Sequence, residues 1–474
     1  MREFIKSFFS FGLATTIEKL IAFLLLPIYT RIFTTIEFGV IDLIQVILGM
    51  TSILAVLQLE TALQRYYYEY EGRVKKIYIS TIFLVIVCLS FLVTIMLSIF
   101  ASELSFLLFK SEDNAYIIRL ASLQLPFINF SMLGFVLLRY EKKNVRFVLL
   151  ILTKVGLTLL FILLLVVWQK MGIYGVFYAQ LIGSSIAAVF LFFSIKQFIT
   201  LKISSGFLTK SLKYALPQFP ARIGSVLLSY ANRFFMIGYL TVASIGIYSL
   251  SLKLASAVQL VYTAFIMAWA PFMFEQIKKP GHKELFPRVL LLASGPVFLL
   301  VSFISLFSKE IVLLIASEEF QDSYHYVGGL SLYFSLFIFK EIVDIGPKYT
   351  EKTKYLSYTF FLSLVVNLLT LFLLIQFYGL NGVVYSMLIT NTFLLGMSWV
   401  VSNNLYFIPF NFVKFIFLAI PAYVLAVTSM YGLPTLSIRV GILFLLTLVY
   451  GFSFFKGYQL FRKKSKILVN NPQF

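Results

Sequence analysis

Lys154, Arg222, Arg233 and Lys253 each lie inside a long apolar run, and Arg31 sits near the end of another. A charge at the centre of a bilayer costs roughly 2.5–3.5 kcal/mol on insertion scales, so such groups face a partner or a wet cavity. Fixed cations in a low-dielectric setting attract anions and reject cations. Arginine also offers a planar fork that matches phosphate oxygens. The chemistry these residues suit is the holding of a phosphate-bearing molecule, and it needs no bond to be made or broken.

Their neighbours share the pattern. Arg222, Ser225, Ser229, Asn232 and Arg233 recur at helical spacing and so lie on one face. At a rise of 1.5 Å per residue that polar stripe is about 16 Å long, half the hydrocarbon thickness. A second stripe runs through Ser249, Lys253, Ser256, Gln259 and Thr263, and a third through Asp42, Gln45, Gly49, Ser52 and Glu60. Such faces must line a cavity or bond to one another. Glu18, Asp42 and Glu60, with Ser229, Asn232 and Gln259, are candidates for a polar cavity wall or a coupling-ion site for H+ or Na+. Glu18 is followed at once by Lys19, and adjacent helical residues point about 100° apart, so the two do not face one partner. For every one of these residues the competing reading is a structural ion pair or snorkelling to the interface. That reading is strongest for Lys340, Glu341 and Asp344, near the end of their run.

Other chemistries find no residues to carry them. His282, His325 and Cys88 are too few for a protein metal site, and a single cysteine excludes an internal disulfide. The sequence has no phosphate-binding glycine loop, no Asp-x-Asp pair, no zinc-protease motif and no nucleophile elbow. No cofactor is implied, and the chain does not read as an enzyme.

The elements that must position these residues are membrane spans. Of the 474 residues, 60% are hydrophobic and 12% charged, where a soluble domain carries about a quarter charged. Apolar runs of spanning length lie near 8–30, 38–61, 77–99, 116–138, 147–168, 173–195, 214–238, 245–271, 289–308, 326–346, 356–377, 382–402, 412–430 and 438–455. This predicts an all-α polytopic protein of about 14 transmembrane helices. The net charge of +19 does not point to nucleic acid, because nearly all of it sits in the short gaps. Alternate gaps and the two termini hold 27 Lys and Arg, and the other gaps hold six. That alternation predicts both termini on the cytoplasmic side. No gap is long enough for a soluble catalytic domain.

The chain also repeats itself. Gly172-Ile173-Tyr174-Gly175-Val176-Phe177-Tyr178 matches Gly379-Leu380-Asn381-Gly382-Val383-Val384-Tyr385 at four positions, 207 residues apart. Arg139-Tyr140-Glu141-Lys142-Lys143 likewise corresponds to Lys348-Tyr349-Thr350-Glu351-Lys352, and Phe38-Gly39-Val40 to Ile245-Gly246-Ile247. Runs one to six therefore resemble runs seven to twelve, followed by an unrepeated pair. An even number of helices per repeat relates the halves about an axis along the membrane normal, with the substrate site expected between them. The expected divisions are 1–200, 201–408 and 409–474.

Leu26-Pro27-Ile28-Tyr29-Thr30-Arg31, Glu37-Phe38-Gly39-Val40-Ile41-Asp42 and Leu59-Glu60-Thr61-Ala62-Leu63-Gln64-Arg65-Tyr66 resemble the opening of bacterial polysaccharide flippases. Leu216-Pro217, Asn232-Arg233-Phe234, Ile245-Gly246-Ile247-Tyr248 and Ala268-Trp269-Ala270-Pro271-Phe272 do so too. These are the O-antigen and exopolysaccharide translocases of the MATE-like multidrug/oligosaccharidyl-lipid/polysaccharide exporter superfamily. The resemblance implies two six-helix bundles forming a V around a cationic cavity, in the bacterial inner membrane. It implies an undecaprenyl-pyrophosphate-linked repeat unit as substrate, gripped by Arg222 and Lys253, and the polysaccharide polymerase and chain-length machinery as partners. Ion-coupled antiport is the mechanism it implies. One departure is Asn232, where the family pattern has Asp before the Arg. Rival readings are a multidrug exporter, a peptidoglycan-precursor flippase and a membrane polysaccharide polymerase. The first should carry an acidic cavity and the last a large basic external loop, whereas the gap around 309–325 is short and acidic.

Overall fold

The computed structural model describes residues 21–470 apart from Ala22 and Thr353. Among the described residues the chain is helical throughout, with no strand. In hydrocarbon every backbone N–H and C=O must be satisfied within its own segment, which a helix does.

In the first part of the chain, α1 spans Leu26–Ile32, α2 Thr35–Val56, α3 Leu59–Tyr66 and α4 Gly72–Ile99. They are followed by α5 Leu125–Tyr140, α6 Asn144–Ile162, α7 Gly172–Ile195, α8 Ser205–Ala215 and α9 Phe219–Tyr239. Local chemistry sets several starts. Pro27 and Pro126 occupy the first turns of α1 and α5, where a missing N–H costs nothing. Thr34 and Glu37 form a reciprocal cap on α2. The Thr34 hydroxyl accepts from the Glu37 amide at 3.2 Å, and the Glu37 carboxylate accepts from the Thr34 amide at 2.8 Å.

Later come α10 Val242–Ala255, α11 Ala257–Gln276, α12 His282–Leu306, α13 Ser308–Ile315 and α14 Tyr324–Val343. The last are α15 Lys354–Leu405, α16 Phe412–Thr428 and α17 Leu436–Asn470. Nine helical stretches among the described residues are long and apolar enough to cross a membrane, and α16 and the Leu436–Phe452 part of α17 are shorter apolar helices. The 52-residue α15 contains two of the runs read from sequence, joined at Gly379, whose φ of 55° and ψ of −128° break the helix. α9 is not among the nine, because its Arg and Asn positions dilute its hydropathy.

Contacts group the chain into two compact units. One is Met1–Ile237 with Thr241–Gly246; the other is Gly238–Leu240 with Ile247–Phe474. α9 therefore packs almost wholly with the unit that precedes it in sequence. The first unit's core brings Leu59, Leu63, Tyr78, Ile82, Leu137 and Ile151 together, all buried.

The repeated motif has a repeated geometry. Gly172 and Gly379 both adopt left-handed backbone, with φ of 59° and 55°, a conformation that carries little penalty only for glycine. Three residues on, a Cβ on Gly175 would stand 3.1 Å from the Leu165 carbonyl oxygen, and one on Gly382 would collide with that of Leu374. Each half thus closes the same joint with the same two glycines.

Candidate functional site

A cavity of about 330 Å³ lies within the first unit. It is lined by Gly49, Ser52, Ile53 and Val56 of α2, Gln58, Glu60 of α3, Met132 of α5, and Arg222, Val226 and Tyr230 of α9. Arg222 is exposed, and the Oε2 of Glu60 is buried with no hydrogen bond among the described residues. Gly49 leaves space for the Tyr230 phenol, since a Cβ there would come within 2.9 Å of its hydroxyl.

The apolar run 38–61 predicts one continuous helix, and here the structure differs. α2 stops at Val56, and Leu57 and Gln58 both take left-handed backbone, with φ of 51° and 59°. Leaving right-handed helical geometry costs roughly 1–2 kcal/mol for each such residue. The double reversal restarts the helix as α3 and brings Glu60 to the same cavity as Arg222. Neither Gly nor Pro marks the break, so nothing in the sequence announces it.

The cavity is backed by a polar relay that sequence reading did not single out. Ser52 donates to Asn129 Oδ1 at 2.5 Å, Asn129 donates to Ser90 at 2.8 Å, and Ser90 donates to the Ile86 carbonyl at 2.7 Å. Asn129 and Ser90 are fully buried. The available signal was an isolated Asn in the middle of an apolar run, which hydrocarbon tolerates only with a partner.

Arg233 has a different fate from Arg222. Its Nε stands 3.2 Å from Asp42 Oδ2, and both side chains are 8% exposed. The guanidinium also lies 5.8 Å from the centroid of the Tyr230 ring, and neither Arg233 nor Asp42 is among the residues that line the cavity. Expected as a cavity cation, Arg233 is instead an ion-paired residue, and the expected polar-cavity group Asp42 is its counter-ion. The departure at Asn232 is thereby compensated: the carboxylate comes from α2 rather than from the preceding position. Asn232 is buried beside Arg233 on α9.

The remaining candidates are dispersed. Arg31 is exposed in the last turn of α1, and Lys154 is half-buried on α6. In the second unit, Lys253 is half-buried near the end of α10, and Gln259 is half-buried in the first turn of α11. Glu18 and Lys19 lie outside the described residues, and so does the side chain of Ser229. Lys340 pairs with Asp344 at 2.5 Å and with Glu341 at 3.2 Å, while Lys348 pairs with Glu341 at 2.6 Å. That closed network accounts for three intramembrane charges as structural.

Residues 4–276, more than half the chain, match the family described as polysaccharide biosynthesis protein. No curated protein matches the chain in sequence. Among solved structures, the chain is similar to the lipid II flippase MurJ in an inward closed conformation, at 14% identity and a TM-score of 0.72, covering 94% of this chain and 98% of that one. It is also similar to an inward-facing multidrug-resistance MATE family transporter, at 14% identity and a TM-score of 0.60, covering 85% and 95%. A mutant of the Vibrio cholerae MATE transporter VcmN matches at 15% identity and a TM-score of 0.56, covering 85% and 96%. The fold is that of the MATE-like exporter superfamily, as the motifs around Arg31, Asp42 and Arg233 implied, and the chain belongs to the polysaccharide biosynthesis protein family.

Proposed function

We propose that this protein is a flippase that carries undecaprenyl-pyrophosphate-linked oligosaccharides from the cytoplasmic to the outer leaflet of the bacterial inner membrane. The reading rests on one observation above all: Arg222 stands exposed on a cavity while Arg233, on the same helix, is neutralised by Asp42. A guanidinium exposed on a cavity suits a diphosphate. Lys253 in the second unit, and Lys154 and Arg31 in the first, are further candidate cations for anionic parts of the substrate. Glu60, and Glu18 with it, are the candidates for coupling to a proton or sodium ion. The alternation of basic gaps supports cytoplasmic termini, which puts Glu60 and Arg222 toward the cytoplasmic side. Alternating access by two six-helix bundles needs no catalytic group. Membership of a polysaccharide biosynthesis family supports a polymerase and chain-length machinery as downstream partners.

The test is a deletion strain complemented with Arg222→Ala or Lys253→Ala. Both variants are expected in the membrane at wild-type level, with surface polymer lost and lipid-linked repeat units accumulating inside. Normal polymer display from both removes the cationic-cavity reading. A second reading, transport of a peptidoglycan precursor, is favoured by the likeness to MurJ. It predicts rescue of a strain depleted of its lipid II flippase, with surface polysaccharide unaffected by the deletion.

A further inference from the structure

A belt of tyrosines follows the cavity residue Glu60 in sequence. α3 ends at Tyr66, and Tyr67, Tyr68 and Tyr70 lie in its connection to α4. Two rings form a buried floor. The Tyr67 phenol hydrogen-bonds the Glu141 carboxylate, and Lys75 Nζ lies 3.6 Å from the Tyr67 ring centroid. The Tyr78 hydroxyl donates to the Ala62 carbonyl at 2.8 Å.

On this floor sit rings that remain partly open. Tyr68 stands edge-on to Tyr67 at 5.0 Å between centroids and lies 5.7 Å from Tyr140. Its hydroxyl donates to the Tyr140 carbonyl at 3.2 Å, yet the residue is 70% exposed. The ring is held by Tyr67 and Tyr140, with Lys75 Nζ 6.0 Å from its centroid, and most of its surface stays open. Around it, Glu69 pairs with Arg65 at 2.9 Å and with Lys210 at 3.2 Å, and all three side chains are substantially exposed. The surface therefore offers an aromatic plane, carboxylate acceptors and cationic donors together.

A pyranose ring matches that set, with an apolar C–H face for the aromatic plane and a rim of hydroxyls for Glu, Arg and Lys. An interfacial anchor would instead turn its hydroxyl toward water. Here the hydroxyls of Tyr67, Tyr68 and Tyr78 are bonded to protein, which leaves a ring face as what Tyr68 has to offer. Glu60 and Tyr66 are six residues apart on or beside one short helix, about 9 Å. A glycan attached to a pyrophosphate at Arg222 would cross that distance within its first sugars.

We infer that Tyr68 and Tyr140, flanked by Arg65, Glu69 and Lys210, bind the oligosaccharide portion of the transported lipid. The inference rests on the proposed function and deepens it.

Binding is measured with the full chain in lipid nanodiscs, using two probes. One is undecaprenyl pyrophosphate without sugar; the other is the lipid-linked oligosaccharide extracted from a strain deleted for this gene. The wild type is expected to bind the glycosylated probe about tenfold more tightly than the bare one. Tyr68→Ala and Tyr140→Ala remove that advantage and leave affinity for the bare probe unchanged, while Tyr68→Trp keeps most of it. Equal wild-type affinity for the two probes overturns the proposal, and so does an equal loss on both in Tyr68→Ala, the result an anchor gives. A failure of the parent reading looks different: the wild type then binds neither probe, and the glycan site falls with it.

Discussion

Arg222 and Arg233 differ by three helical turns and by everything that surrounds them. Arg233 and Asp42 are each about nine-tenths buried, so neither is affordable alone. Removing one partner of such a pair typically costs about 3–5 kcal/mol, because the other charge stays buried. Asp42→Ala is expected to lose folded protein in detergent, and Asp42→Ala with Arg233→Leu to recover much of it, as fluorescence-detected size exclusion would show. Arg222→Ala should not change that profile, since its side chain is exposed. Glu310 gives a pH-dependent counterpart. The Arg439 guanidinium grips its carboxylate with two bonds, at 2.7 and 2.8 Å, and holds the carboxyl below the usual glutamate range. A lowered carboxyl stabilises the fold above its ordinary value of about 4.3, and that contribution fades as pH falls through the lower folded value. Thermal stability should therefore drop below about pH 4.3, and Glu310→Gln should lose that component of the dependence while being less stable at neutral pH.

Among the elements, the reversal between α2 and α3 is what delivers Glu60 to the cavity. Leu57 is a branched residue in left-handed backbone, and Leu57→Gly relieves a cost of roughly 1 kcal/mol in that turn. The variant is expected to fold at least as well as wild type by thermal shift, whereas Leu57→Pro, barred from positive φ, is not. Gly382→Ala should destabilise strongly, because the Leu374 carbonyl already fills the space. Much of this level was legible beforehand. Among the described residues the apolar runs fall mostly in helices, and the Gly-x-x-Gly motif marked a joint because glycine has few other reasons to stand there. The Leu57–Gln58 break was not legible, since tertiary packing imposed it on residues with no turn preference. Nor was the split between Arg222 and Arg233: helical spacing puts both on one face, and only the approach of Asp42 from α2 separates their roles.

At the scale of the whole molecule, composition and the apolar runs pointed to a membrane protein of the all-helical class, and the described residues and the family match agree. Charge asymmetry gave an orientation that can be checked directly. Cys88 is the single thiol, so Cys88→Ser leaves a background into which one cysteine at a time is placed. Glu318→Cys, exposed beyond α13, is expected to react with an impermeant maleimide on intact cells. Glu69→Cys, exposed between α3 and α4, is expected to react only after the membrane is opened. The opposite pattern would invert the proposed direction of transport. The grip of Arg439 also bears on how the gene can be cut. Arg439 donates to the Leu306 carbonyl at 2.8 Å as well as to Glu310, so α17 latches the junction where α12 hands over to α13. A chain stopped after α16 would shed more than a lipid-facing appendage, for it would strip a carboxylate and a carbonyl of their shared donor. The unrepeated tail is in this sense a fastener for the repeated body, and shortened forms should fail in assembly before they fail in transport.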